Sequence, residues 1–486
     1  MIYRLRPYQE DCVKSISDYI NSDRRDPVLI VAPVAAGKSI LIAEAARLMG
    51  DKTLVLQPSH ELLTQNHDKI TSYGIPATIY SASCGKKELS NMIYATLGSI
   101  KKVVGQLKEM GIRNVLIDEA HAGYSPEDGS EFMTFMNELK PRKVIGFTAT
   151  PCRLKNMSIG QTSYSQLNFI TRMRPVYFKN LIHVIQVEEM IRQGFWTPLK
   201  YETWDFNGDA LKLNSNGSEY TAESISEAVR KNGLNNLILR RLMVLKDVCR
   251  SILVFMDSVE SCNTAAEWMN AKICAGMAEV VHGGTPKKQR EAIVERFRSG
   301  KTKVVFNYSA LGTGFDHPGL DCVIVGRPTF SFSSFYQWLG RAVRIKDGKD
   351  SALVVDCCNN SSRFGDIRKL SIENYKGYGW GMFIGDKLIT NIPMGDKVTK
   401  TDLDIKAAKK DRRRGLAQGI TASPVPGRPD HPLGSTVMTF GKYSGWMLHS
   451  IPVSYFKFIN ETFDWDNDRN KEIKEYIDFL IKNNRL

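Results

Sequence analysis

The sequence predicts an α/β protein built from two parallel-sheet domains and a small C-terminal module. Short apolar, β-branched runs alternate with amphipathic segments of helical length, the pattern of a parallel sheet covered by helices. That alternation occurs twice, with a break between about Arg153 and Asn235. The 486 residues are too many for one ordinary domain of ~100–200 residues and suit two to four.

In the first series the expected strands are Val28–Ala32, Thr53–Gln57, Ala77–Tyr80, Asn114–Asp118 and Lys143–Thr148. Asn, Ser, Gly and Thr with weak periodicity then mark a connector holding local inserts. The second series has strands at Ser251–Met256, Val280–His282, Lys303–Asn307, Asp321–Gly326 and Ala352–Asp356. The resulting division is a first domain over 1–200, a connector over 201–235 and a second domain over 236–400. A basic and Pro-rich linker follows over 401–433, then the small module over 434–486. The module's last helix is marked by Ile473, Tyr476, Ile477, Leu480 and Ile481 at helical spacing. No repeat of solenoid period is seen.

Composition narrows the class. With 42% hydrophobic and 24% charged residues, the chain has enough apolar surface to fold rather than stay disordered. No apolar run approaches the ~18 residues needed to span a bilayer, so no membrane partner is expected. The N-terminus lacks a secretory h-region, and the nine cysteines show neither disulfide nor zinc spacing. A cytoplasmic protein of a bacterial or phage-infected cell is expected. The formal net charge of +14 favours polyanions, through phosphate neutralisation and counterion release.

Two motifs carry the chemistry. Val28-Leu-Ile-Val-Ala-Pro-Val-Ala-Ala-Gly-Lys-Ser39 runs from a buried strand through a tight loop into a helix. In such a P-loop the backbone of Val34, Ala35, Ala36 and Gly37 cradles phosphates, Lys38 meets their charge and Ser39 ligates Mg²⁺. Ala32 stands where the motif's first glycine belongs, and Ala35 and Ala36 stand at positions often glycine. About 80 residues on, Val115-Leu-Ile-Asp-Glu-Ala-His121 ends a strand in two carboxylates, where α/β sheets bind ligands. Asp118 suits an outer Mg²⁺ contact and Glu119 suits polarising a water.

With these two motifs in this order, the chain resembles the superfamily 2 helicases and translocases, over most of Arg4 to Asp366. The resemblance implies two tandem RecA-like domains that bind ATP and Mg²⁺ between them. Leu5-Arg-Pro-Tyr-Gln9 is similar to an adenine-recognition segment, with Gln9 reading the base and Arg6 beside it. Gln57-Pro-Ser-His-Glu-Leu-Leu63 resembles motif Ia and Tyr94-Ala-Thr-Leu-Gly-Ser99 motif Ic, which implies that Pro58, Ser59, Glu61, Thr96 and Ser99 hold nucleic acid. Phe147-Thr-Ala-Thr-Pro151 resembles motif III, making Thr148 and Thr150, with His121, coupling residues. Ile252-Leu-Val-Phe255 is similar to motif IV. Ala310-Leu-Gly-Thr-Gly-Phe-Asp316 resembles motif V, with Thr313 on nucleic acid and Gly314 and Asp316 near the nucleotide. Gln337-Trp-Leu-Gly-Arg-Ala-Val-Arg344 resembles motif VI, so Gln337, Arg341 and Arg344 are expected at the γ-phosphate.

Within the superfamily the sequence resembles RadD-type DNA repair ATPases and related phage-encoded helicases of the DEAH type. The LRPYQ opening, the T-G-F-D-x-P form of motif V and Asp356, Asn359 and Arg363 carry this likeness. It implies DNA, single-stranded, forked or branched, as partner, and a single-strand-binding or recombination protein as a second. RNA is the alternative substrate, and a non-unwinding clamp or remodelling protein the alternative activity. In the tail, Tyr443, Trp446, Tyr455, Phe456 and Phe458 alternate with Lys442 and Lys457, as a base-stacking surface would. A small aromatic core is the reading we favour there. The basic run Lys406–Arg414 is either a solvated linker or a duplex clamp.

Overall fold

The computed structural model describes residues 4–159, 162–310, 315, 317–376, 378–407, 431–440, 443–444, 446–462, 465 and 470–483. The chain divides into two compact units, one of residues 1–375 with 379–399 and the other of 376–378 with 400–486.

The first unit holds both large sheets. One has eight strands in the order Asn180–Val184, Val28–Val31, Lys143–Thr148, Asn114–Ile117, Thr53–Leu56, Met92–Ala95, Thr78–Ser81 and Lys86–Lys87. All pairs are parallel except the last. Its central strands are apolar on both faces and buried throughout, as a sheet covered on both sides requires. The other sheet is wholly parallel, in the order Leu199–Thr203, Ala352–Asp356, Cys322–Val325, Ile252–Phe255, Val304–Tyr308 and Ala278–His282. Two parallel α/β sheets are thus present, as expected.

The connector differs from expectation. Leu199–Thr203 pairs with Ala352–Asp356 as an edge strand of the second sheet, and Asn180–Val184 closes an edge of the first. Helices Ala222–Lys231 and Leu234–Val248 bury Ile225, Leu234, Ile238, Leu242 and Leu245 in one cluster with Ile252 and Val254. Residues 201–235 are therefore part of the second α/β layer and not a linker. Edge strands are half-exposed and carry polar residues, so their apolar signal is weak. Ahead of them, Cys152–Ile159 and Thr162–Phe169 form an antiparallel hairpin directly after motif III. Met92–Ala95, covered in the sequence only by motif Ic, is a buried central strand. A four-stranded antiparallel sheet of Leu370–Tyr375, Gly379–Ile384, Lys387–Leu388 and Val398–Thr399 was also not foreseen.

The second unit has its own core, in which Met438, Leu448, Ile451, Phe456, Ile459, Ile473, Tyr476, Ile477 and Leu480 pack together. Tyr443, Trp446 and Tyr455 pack against it, which favours the aromatic-core reading, while Phe458 is exposed. The final helix spans Lys471–Lys482. Most of the basic run and of the Pro-rich linker, with Lys442, lies outside the described residues. All nine cysteines are free thiols. Among the described residues no helix is long and apolar enough to cross a membrane.

One buried charge anchors the first helix, Pro7–Asn21, to the first sheet. Lys143 is 4% exposed, and its ammonium donates to the carbonyls of Tyr19, Ser22 and Arg24 at 2.8, 2.7 and 2.7 Å. Lys143→Met leaves these carbonyls without that donor and should cost about 1–3 kcal/mol, read as a lower urea midpoint at unchanged m-value.

Candidate active site between the two sheets

The strand Val28–Val31 leads through the loop at 32–37 into helix Lys38–Met49. Gly37 caps that helix at φ 83, and Ala35 sits at φ 65. Glu119 lies at φ 47. Left-handed geometry at Ala35 and Glu119 costs about 1–3 kcal/mol each, a burden found mainly at functional sites. Two side chains brace the loop from behind: Gln9 Nε2 donates to Ala36 O at 2.8 Å and Trp196 Nε1 to Val34 O at 2.9 Å. Gln9 Oε1 accepts from Arg6 N at 2.9 Å, so one end of its amide serves the loop and the other caps helix Pro7–Asn21. A Cβ on Gly37 would meet Gln9 Nε2 at 2.4 Å, so this glycine is required by contact as well as by φ.

Lys38 Nζ lies 2.8 Å from Asp118 Oδ1 and also pairs with Glu119 Oε1. Burial works against its charge, but the two carboxylates outweigh burial and raise its pKa. Asn66 Nδ2 donates to the other oxygen of Asp118 at 2.9 Å. Glu119 Oε2 accepts no hydrogen bond and lies 3.4 Å from His121 Nδ1. It is the carboxylate oxygen left to orient a water. Ser39 lines the cavity and Asp118 lies buried beside Lys38, an all-oxygen donor set that suits Mg²⁺. When bound there, that ion supplies charge neutralisation at the phosphates.

The opposite wall comes from the second sheet. Helix Phe332–Leu339 ends at Gly340, where an added Cβ would meet Val34 at 2.6 Å. The two lobes touch at the P-loop itself. Arg341 and Arg344 line the same cavity of about 340 Å³ as Arg6, Val34, Ala35, Gly37, Lys38, Ser39, Glu119 and Gln337. Burial pushes both arginines down to about 10. Arg341 Nη1 donates to Phe315 O at 2.7 Å. Phe195 also lines the cavity, with the Arg6 guanidinium 4.6 Å above its ring.

A hydrogen-bonded chain joins His121, beside Glu119, to the second lobe. His121 Nδ1 lies 2.8 Å from Thr148 Oγ1, and Nε2 lies 3.2 Å from Ser333 Oγ. Ser333 Oγ is 3.1 Å from Thr150 Oγ1, and Thr148 Oγ1 accepts from Thr150 N at 3.0 Å. Burial first, then Lys38 and Arg153, push His121 down to about 3, so it is a neutral relay near pH 7. The expected coupling residues His121, Thr148 and Thr150 are brought together. Ser333 was missed, because no spacing rule connects a serine four residues before Gln337 with His121.

Apart from Thr313, the expected nucleic-acid residues sit at carboxyl ends of the same first sheet, three and four strands from the P-loop strand. Ser59 caps helix His60–Thr71, accepting from Leu62 N at 3.3 Å, and Pro58 is exposed. Thr96 Oγ1 donates to Ser99 Oγ at 3.1 Å, and Ser99 Oγ accepts from Ala82 N at 3.0 Å. Glu61 instead meets Arg290 of the second lobe at 3.3 Å. Thr313, Gly314 and Asp316 lie outside the described residues.

Residues 2–153 match the family described as "Type III restriction enzyme, res subunit", and 235–346 match the "Helicase conserved C-terminal domain". Each match covers a part of the chain, and together they support a likeness to the superfamily 2 helicases. A 51.5 kDa protein of a Lactococcus phage is 25% identical over 332 residues, 68% of this chain and 65% of that protein. The DNA 3'-5' translocase XPB2 of Sulfurisphaera tokodaii is 24% identical over 380 residues, 72% of this chain and 80% of that protein. The DNA-bound Type ISP restriction-modification enzyme LlaBIII superposes with a TM-score of 0.54 at 15% identity, over 74% of this chain and 28% of that one, and so shares the fold. The chain spans 65%, 52% and 58% of the lengths of the first curated relatives it matches.

The two lobes so arranged give two tests. Arg344→Ala should lower the ATP turnover rate by about 10³-fold or more while nucleotide affinity stays within about tenfold, measured by steady-state kinetics and nucleotide titration. Gly340→Val should hold the lobes apart at Val34, reducing kcat/KM for ATP by at least about tenfold with unchanged thermal midpoint.

Proposed function

We propose that the chain is an ATP-driven DNA translocase or helicase, in which Mg-ATP hydrolysis between the lobes moves them along one strand. The observation that carries this reading is the single cavity to which one lobe brings Lys38, Ser39 and Glu119 and the other Arg341 and Arg344. Bound ATP meets Lys38 with its β/γ oxygens and draws it from the carboxylates. Glu119 Oε2 then takes a proton from the attacking water, and the guanidinium groups oppose the charge that spreads over the transferring phosphoryl. Neither lobe alone holds both sets of charges. Strand binding across the sheet ends should favour the closed state and so stimulate hydrolysis.

The finer reading is a DEAH-type motor akin to the RadD-type repair ATPases, acting on single-stranded, forked or branched DNA. The Asp118–Glu119–Ala120–His121 run and the phage and archaeal relatives support it. To the second unit, which has its own core, we assign an accessory role on DNA or on a single-strand-binding or recombination protein.

ATPase rates with single-stranded, duplex and forked DNA and with RNA, each followed by strand displacement at stated salt, test the proposal. Stimulation by DNA is expected. Stimulation by RNA alone moves the substrate, and ATP binding without turnover leaves a clamp. Lys38→Ala and Glu119→Gln should both abolish turnover, with Glu119→Gln still binding ATP; wild-type hydrolysis in either removes the site. A chain ending before Gly434 should keep its ATPase and bind DNA more weakly in a fluorescence titration.

A further inference from the structure

After Arg344 the chain turns through Lys346–Lys349, with Lys349 N donating to Lys346 O at 3.1 Å and Gly348 at φ 72. This turn returns Lys349, 9% exposed, to the segment that precedes it. Its ammonium donates to Ala342 O at 2.6 Å, Arg344 O at 2.8 Å and Pro318 O at 3.2 Å. The intervening carbonyl, Val343 O, accepts from Thr197 N at 2.8 Å, and Arg344 O accepts also from Thr197 Oγ1 at 2.7 Å. Three consecutive carbonyls of the arginine-bearing segment are thus held from the same two residues. Segment 341–346 has no regular secondary structure of its own, so these bonds set its shape. The third bond joins it to the stretch that follows motif V.

We propose that Lys349 is a positioning residue for catalysis, holding the Arg341–Arg344 segment in the form that presents both guanidinium groups to the nucleotide. This rests on the ATPase reading above. Lys349 does not touch substrate; it acts through Ala342 and Arg344. A hydrophobic residue of similar length fills the space but supplies no donor, and a displacement of about 1 Å at a reacting group costs on the order of 10²-fold in rate.

The groups facing the ammonium are mostly cationic. Burial is the largest influence; Asp321 favours the charge, while Arg344, Arg250 and Lys346 oppose it, and the result is a pKa pushed down to about 8. His317, on the stretch after motif V, is pushed down to about 4 by burial first and then by Lys346, Arg298 and Lys349, so it is neutral here. The sign follows directly. Below about pH 8 the ammonium carries three N–H donors for its three carbonyls, and above it one is lost. The rate should therefore decline as pH rises through that value.

The test uses the full chain with nucleic acid at saturation. In Lys349→Met, kcat should fall about 10²-fold with the KM for ATP within about threefold, because the arginines act on the transition state. In Lys349→Arg, which stays charged, kcat should recover to within about tenfold and the alkaline decline should vanish. The wild-type pH–kcat profile should bend downward near pH 8, and this arm decides even if the methionine variant does not fold. A Lys349→Met chain with wild-type kcat, or a wild-type profile flat from about pH 7 to 9.5, overturns the assignment. Absence of hydrolysis in the wild type instead defeats the ATPase reading, and the role of Lys349 with it.

Discussion

The site is governed by the difficulty of burying like charges together. Lys38, Arg341 and Arg344 all line one cavity of about 340 Å³, and burial weakens the protonated form of both arginines. Asp118 and Glu119 pair with Lys38, and Glu119 also favours the charge of Arg341 on the opposite wall. A polyanionic ligand such as a triphosphate suits a cavity lined by these three cations. The same constraint explains why the cations are divided between two lobes. Separated, each set is tolerable; together, they favour whatever anion sits between them.

Closure is then a matter of contact at short range. Val34 against Gly340 sets how near the lobes come, and the His121–Ser333 approach spans the same boundary. Because His121 is held neutral by burial, this link is made of directional hydrogen bonds and does not depend on salt in the way an ion pair does. His121, Thr148 and Thr150 are therefore joined to the helix that leads into Arg341. A shift of one lobe against the other is felt at His121, Thr148 and Thr150 through one connected set of hydrogen bonds.

The sequence made the central strands and the P-loop legible because both depend on local pattern. Val28–Val31 and Asn114–Ile117 are continuous apolar runs ending in residues with distinct chemistry, and such signals survive without knowledge of neighbours. Asn180–Val184 and Leu199–Thr203 escaped because an edge strand gains its stability from backbone pairing, which has no side-chain signature. Phe195, Ser333, Asn66 and Lys349 escaped for a related reason. Each is an ordinary residue whose importance comes from a partner on another element.

Residue order alone thus named the chemical groups of the candidate site, since the Lys38, Ser39, Asp118 and Glu119 types act by charge and hydrogen-bonding capacity that folding does not create. It also established that two α/β layers exist, because hydrophobic periodicity reports burial directly. Folding in space settled which groups share the cavity, that Gln9 serves the loop backbone and that Glu61 pairs with Arg290. Those outcomes depend on distances between segments far apart in the chain, and a hydrogen bond or ion pair weakens steeply with distance and angle, so no reading of one segment at a time contains them.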